Sequence, residues 1–405
     1  MNIPESNILA LVLAGGKGTR LDPLTAERTK PSVPFGGKYR IIDFALSNFV
    51  NSGIYSIYLL VQYKSQSLIE HIRTAWSVAG MPSKHFLTVV PPQMRMEDVK
   101  EWYRGTADSV YQNINLIYDF KPTIVAVFSG DHVYRMDIRQ MIESHYARRA
   151  DLTIATVPLT KGEERHFGVL ETDRKAQVIS FKEKPEKLGE GNFYVSMGNY
   201  IFNTDVLVQA LEENAHKETS HDFGKDVIPA LLKRGANIYA YDCSCNLIPG
   251  LKPYEERFYW KDVGTIESYW KAHMDLLTGE PRLDLNNRDW PIYGVRLHCP
   301  PALIDNSNIT NSMICEGSKI VSSTVKNSIL GRSVTIEPGC HIEDSIILDF
   351  THIGAASKIT RTIVDRFNTI EKGTHIGGTA GCGPYHQDPS GIVVVRRGSR
   401  KSYYF

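Results

Sequence analysis

Paired cysteines, long hydrophobic runs and an excess of charge of either sign are all missing from this chain. The six cysteines (Cys243, Cys245, Cys299, Cys315, Cys340, Cys382) show no C-x-x-C spacing, so a zinc site is not indicated and free thiols in a reducing compartment are expected. Cys243 and Cys245 would share one side of a strand, which does not make them ligands. No stretch reaches the ~20 apolar residues of a membrane span, and Met1 to Asn7 lacks the basic and apolar regions of a signal peptide, so a cytoplasmic protein is expected. Lys plus Arg number 46 against 45 Asp plus Glu, a net charge of +1, and no global basic field argues for nucleic acid or an anionic membrane. Local clusters must carry any anion binding.

What is present points to two domains of different kind. With 405 residues, 42% of them hydrophobic, the chain is too long for one ordinary domain and can fill real cores. Up to about Leu285, apolar runs (Ile8–Ala14, Ser56–Val61, Leu87–Val90, Thr123–Ser129, Leu152–Pro158, Val178–Glu183) alternate with helical patterns near 42–52, 65–76, 107–118, 138–149, 206–213 and 266–277. This alternation predicts βαβ units and a Rossmann-like, mostly parallel α/β sheet with ligands at the carboxyl ends of its strands. After about Asn286 the helical period stops. From Ala302 to Gly378 one aliphatic residue recurs every five or six positions, from Ile309, Ile314 and Ile320 through Leu348 to Ile376, which predicts a hexapeptide β-helix. The expected division is 1–285 and 286–405, with a linker at about 280–300. An acyltransferase solenoid would need a histidine base between coils, and His341, His352 and His375 lie in or beside the repeats; the structural and subunit-packing reading is preferred.

The chemistry concentrates in Ile8 to Pro34. An apolar strand breaks into Gly15, Gly16 and Gly18, where the backbone can turn sharply and aim N–H groups at a polyphosphate, with Lys17 and Arg20 adjacent. Neither G-x-G-x-x-G nor G-x-x-x-x-G-K-[ST] is present, but a proline-stiffened segment carries Arg20, Arg28 and Lys30 past the loop. The pattern G-G-x-G-[TS]-R-L-x-P-L-T-x(4)-K-P is similar to that of the sugar-phosphate nucleotidylyltransferases. Nearly end to end, through FGGKYRIIDFALSNFVNSGI, WYRGTADSVYQN, FSGDHVYRMD, FGV, EKP, SMGNYIF, SHDFGKDVIP, YWKDVGTIESYW and NRDWPIY, the chain resembles the glucose-1-phosphate adenylyltransferase family.

That resemblance implies a glycosyltransferase-A-like catalytic domain followed by a left-handed parallel β-helix. It also implies adenylyl transfer from ATP to α-D-glucose 1-phosphate with Mg²⁺, feeding glycogen or a related α-glucan. Arg20 and Lys30 would hold the leaving pyrophosphate, and Asp131 and Asp262 the metal. The nucleotide would lie against Leu13, Gly15 and Gly16, with Gln62, Gln93, Tyr103, Gly105 and Thr106 around the base. Glucose 1-phosphate would take Gly168, Glu183, Lys184, Ser196, Gly198, Asp222 and Lys225. The family is usually tetrameric, here expected as a homotetramer, with sugar-phosphate activators and AMP, ADP or phosphate as inhibitors. Its effector site between the domains would use Arg28, Arg40, Arg396, Arg397, Arg400 and Lys401. One departure stands out: Glu27 occupies a position where many bacterial members carry an activator-binding cation, so a different, weaker or differently read activator is expected. The rival readings are a uridylyltransferase-type or N-acetylglucosamine 1-phosphate-specific sister enzyme and a catalytically silent regulatory subunit; the latter typically loses the metal aspartate or the leaving-group cations that are all present here.

Overall fold

The computed structural model describes residues 7–16, 18–76, 85–92, 102–160, 162, 164–188, 191–295 and 297–399. Strand Ile8–Ala14 forms where the sequence is continuously apolar, and Leu9 to Val12 are at most 1% exposed because parallel neighbours cover both edges and helices cover both faces. Its partners are Ser56–Val61 and Ile124–Ser129, and Phe86–Val90 extends the parallel half beyond Ser56–Val61. The other half turns antiparallel through the long strand Phe193–Asn203, which pairs with Ile124–Ser129, Leu152–Pro158 and Gly168–Thr172. Helix Ile41–Asn51 lies under the parallel half and is buried along Ile41 to Phe49, fixing the loop that follows the first strand. The predicted helix 107–118 is broken: helices Thr106–Tyr111 and Ile114–Phe120 meet at Gln112 and Asn113, where Asn113 turns its amide to Ser109 O and Tyr103 Oη.

From Leu303 onward the chain winds into a parallel β-helix with three sheets of 5, 5 and 6 strands, one per side. The recurring aliphatics stack inward in register: Ile320, Ile336, Ile353 and Ile370 on one side, Val325, Ile342, Ile359 and Ile376 on the next. Several corners carry non-glycine residues at positive φ, among them Asn311, Asn327 and Asp344, which explains the short polar residues between the aliphatics. On the third side the inward ladder is Leu330, Ile347, Val364 and Val395. The structure here corrects the expected repeat: Ile347 fills the solenoid, while Leu348 joins Ile329, Ile346, Ile363 and Val394 in packing against Phe35, Phe44, Tyr269 and Leu276 of the N-terminal α/β domain. One sheet therefore serves two cores. His341, His352 and His375 sit on the outer surface, His341 beside Glu343 and His352 on Glu337.

Candidate active site

The carboxyl ends of the parallel strands open into a cavity of about 550 Å³. Three sets of groups meet there. The first is cationic and comes from the glycine loop: Arg20 follows it, and Lys30 is carried into the cavity by the short turn Lys30–Ser32, whose proline stiffens it. The second is a pair of carboxylates. Asp131 follows strand Ile124–Ser129, and Asp262 follows the two-residue strand Trp260–Lys261, which pairs with Val133–Tyr134 and so brings the carboxylates face to face.

Lys30 Nζ lies 3.1 Å from Asp131 Oδ2 and 2.5 Å from Asp262 Oδ1. Burial alone would lower the Lys30 pKa, but the two carboxylates outweigh it and raise it, so the lysine stays charged. Asp131 shows the converse. Burial would raise its pKa, yet Lys30, His132 and a hydrogen bond donated by the Ser129 hydroxyl hold it well below the usual carboxylate range. The carboxylates thus already share one cation, and oxygen atoms of Asp131 and Asp262 with a His132 ring nitrogen lie within 4.8 Å of one another. Such an oxygen-rich, anionic corner suits a hard divalent ion that also binds substrate phosphate.

The third set lies across the cavity. Glu183 lies close against two glycines: a Cβ on Gly168 or on Gly224 would come 2.8 Å from its Oε2, so a side chain there would displace the carboxylate. Burial raises the Glu183 pKa, although Lys184 acts against it. Lys184 sits at φ 49° immediately before Pro185, with its N–H donated to Phe167 O at 3.0 Å; a strained lysine backbone at a cleft edge aims an ammonium that remains 58% exposed. Ser196 and Gly198 line the cavity beside them. Asp222 is tied to the wall formed by 103–106 through Thr106, whose hydroxyl donates to Asp222 Oδ2 at 2.9 Å.

On that wall Gln62 donates to Tyr103 O at 3.1 Å, and Leu13, Gly15, Gly16, Gly105 and Thr106 complete it. A Cβ on Gly105 would lie 2.3 Å from His221 O, so this segment closes onto the Asp222 loop only as glycine. Lys225 does not line the cavity and its side chain is exposed, but its charge still acts on Glu183, and its N–H donates to the capping carboxylate of Asp222 at 3.1 Å. Gln93, Arg400 and Lys401 lie outside the described residues. Sequence reasoning drew no role for Ser129, which holds Asp131, or for Phe167, which lines the cavity, although both stand in quoted segments, and it missed His166, which stands in none.

A second cavity of about 820 Å³ lies between the domains. Arg40 lines it, together with Arg332 and Arg366 of the solenoid and Arg397 of the tail. Arg28 is fully buried beneath it, paired with Asp365 at 2.5 Å, while Arg396 is exposed beside it. Burial first, then the neighbouring Arg28, pushes Arg40 down to about 10, and Arg366 is lowered well below its ordinary value by burial and then by Arg40 and Arg28. Arg28 Nη1, Arg332 Nη1 and Arg366 Nε are buried without a hydrogen-bond partner. At the rim Glu27 pairs with Arg397 at 3.3 Å.

Residues 9–279 match the family model described as nucleotidyl transferase, and residues 302–395 match the GlmU-like C-terminal hexapeptide model. Over 400 residues the chain is 50% identical to a glucose-1-phosphate adenylyltransferase of Thermodesulfovibrio yellowstonii, covering 97% of each chain. It is 44% identical over 411 residues to one of Aliivibrio fischeri, covering 98% of this chain and all of that one, and 42% identical over 408 residues to one of Deinococcus radiodurans. No helix among the described residues is long and apolar enough to cross a membrane.

Proposed function

The chain belongs to the glucose-1-phosphate adenylyltransferases of the nucleotidyl transferase family, and from that premise we propose how its cleft works. A phosphate oxygen of α-D-glucose 1-phosphate attacks the α-phosphorus of ATP; the bond from that phosphorus to the β-phosphate oxygen breaks, giving ADP-glucose and pyrophosphate. The nucleophile is already an anion, so rate comes from in-line placement and from charge neutralisation rather than from a general base. Lys184, with Glu183 on a sugar hydroxyl, holds the acceptor on one side, and Arg20 and Lys30 receive the charge that accumulates on the leaving pyrophosphate. Asp131 and Asp262 would hold Mg²⁺, which supplies further neutralisation of the crowded phosphates when bound. The base rests against Gln62, Tyr103 and Gly105.

The observation that carries this reading is the meeting, in one cavity, of Lys30 and both carboxylates with Glu183 and Lys184 opposite. Pyrophosphate release should occur with ATP, glucose 1-phosphate and Mg²⁺, fall strongly with UTP, dTTP or GTP, and drop at least about 100-fold in Asp131→Asn. Preference for another nucleotide would reassign the cleft to a sister enzyme, and silence with all four would favour a regulatory subunit.

The inter-domain cavity is read as the effector site for sugar phosphates and for AMP, ADP or phosphate. What supports it is the set of buried guanidinium N–H groups without partners and the mutual repulsion of Arg28, Arg40 and Arg366, which an anion would relieve. A homotetramer, carried over from the family, remains part of the same proposal, as does a role in glucan synthesis.

A further inference from the structure

Strand Phe193–Asn203 does not run evenly beside its neighbour. Ser196 opposes Thr156 and Tyr200 opposes Ile154, so Met197, Gly198 and Asn199 bulge where the other strand has the single residue Ala155. Gly198 takes φ 71°, which makes the excursion accessible, and its N–H donates to Ser196 Oγ at 3.2 Å. The bulge pushes Ser196, Met197 and Gly198 into the cavity wall, while Asn199 turns the other way and is fully buried.

The Asn199 amide uses both of its ends. Its Oδ1 accepts the Ser129 N–H at 3.0 Å, and its Nδ2 donates to Tyr134 Oη at 3.2 Å. Ser129 and Tyr134 are the two ends of the loop that carries Asp131. Ser129 in turn donates its hydroxyl to Asp131, and Tyr134 pairs with Trp260, two residues before Asp262. On the far side Asn48 accepts from Met136 N at 3.0 Å and donates to Tyr134 O at 3.2 Å, so the loop has no slack there.

We propose that Asn199 is a positioning residue that clamps the Asp131 loop to the sugar-side bulge, setting the distance between the carboxylate pair and the acceptor phosphate. The inference rests on the reading of the cleft given above. A buried amide whose loss leaves the Ser129 N–H unpaired has no indifferent replacement, and small misplacements at a phosphoryl-transfer centre are costly.

The test compares the unsubstituted chain with Asn199→Leu, which keeps the volume but neither hydrogen bond, and with Tyr134→Phe, which removes one. Three readouts are taken: Mn²⁺ binding by calorimetry, the KM and kcat for glucose 1-phosphate, and the thermal midpoint. Asn199→Leu should weaken Mn²⁺ binding and lower kcat by about tenfold each and raise the KM for glucose 1-phosphate, and Tyr134→Phe should fall between. Mn²⁺ affinity and both kinetic constants within about twofold of the unsubstituted chain would overturn the clamp. So would a loss of activity that merely follows the folded fraction. Absence of turnover in the unsubstituted chain would count against the cleft reading alone, because the Mn²⁺ comparison still decides the clamp.

Discussion

A carboxylate at position 27 changes what the rim of the inter-domain cavity can attract. Glu27 cancels part of the charge of Arg397, and the other arginines lining the cavity are Arg40, Arg73, Arg332 and Arg366. Reversing that charge should strengthen binding of a second phosphoryl group by about 1 kcal/mol, so Glu27→Lys is expected to lower the half-activating concentration of a sugar bisphosphate about fivefold. Activation curves with sugar mono- and bisphosphates measure this, and an unchanged profile would remove Glu27 from effector recognition. The same residues mark the limit of what the linear chain discloses. The placement of Arg20, Lys30, Asp131 and Glu183 around one cavity was legible because each sits in a motif, at a strand end for Asp131 and Glu183 and in the segment after the glycine loop for Arg20 and Lys30. Arg332 and Arg366 were not, because a solenoid corner brings them beside Arg40 from far along the chain, and neither stands in a motif. Asn199 lies inside SMGNYIF, yet nothing in that string says that its amide spans a loop.

At the scale of elements, hydrophobic pattern and neighbour covering explain both the successes and the misses. Strands Ile8–Ala14, Ser56–Val61, Leu152–Pro158 and Val178–Glu183 form where apolar runs are short and bounded. Strand Phe193–Asn203 escaped because its bulge breaks the alternation and carries polar residues, and Ile228–Lys233 because it is only six residues long and follows an irregular turn. In the solenoid the five-to-six-residue period locates the coils, but Ile346, Ile347 and Leu348 are all apolar, and only the covering catalytic domain decides which point outward. Truncating one outward residue tests that two-sided sheet. Ile346→Ala, at a fully buried position between the domains, should cost about 3 kcal/mol. Urea unfolding reads the loss, and a midpoint unchanged within error would mean that the two cores do not depend on this contact.

For the molecule as a whole, buried neutral histidines tie stability to pH. His273 accepts the Gly36 N–H at 3.2 Å and donates to Tyr269 O, and burial pushes its pKa down to about 4. His71 and His145 are lowered by burial as well, against Asp43 in one case and Asn203 in the other. A histidine depressed in the fold binds its proton more readily once unfolded, so stability is intact above the ordinary histidine value of about 6.5 and falls as the pH drops towards 4. His273 alone should make the protein about 2 kcal/mol less stable at pH 5 than at pH 7. Denaturant midpoints at the two values measure this, and a His273→Gln variant should show a flatter dependence.

The short segment from Glu27 to Lys30 has one more consequence. Glu27 meets the tail, Arg28 is bolted to Asp365 of the solenoid, and Lys30 bridges the two carboxylates of the cleft, with a single residue between the last two contacts. Pro31 and the short turn after it leave that stretch little freedom to absorb a shift. The solenoid is thus geared to the cation proposed to meet the departing pyrophosphate, and a tilt of one domain against the other would reach the cleft through this lever.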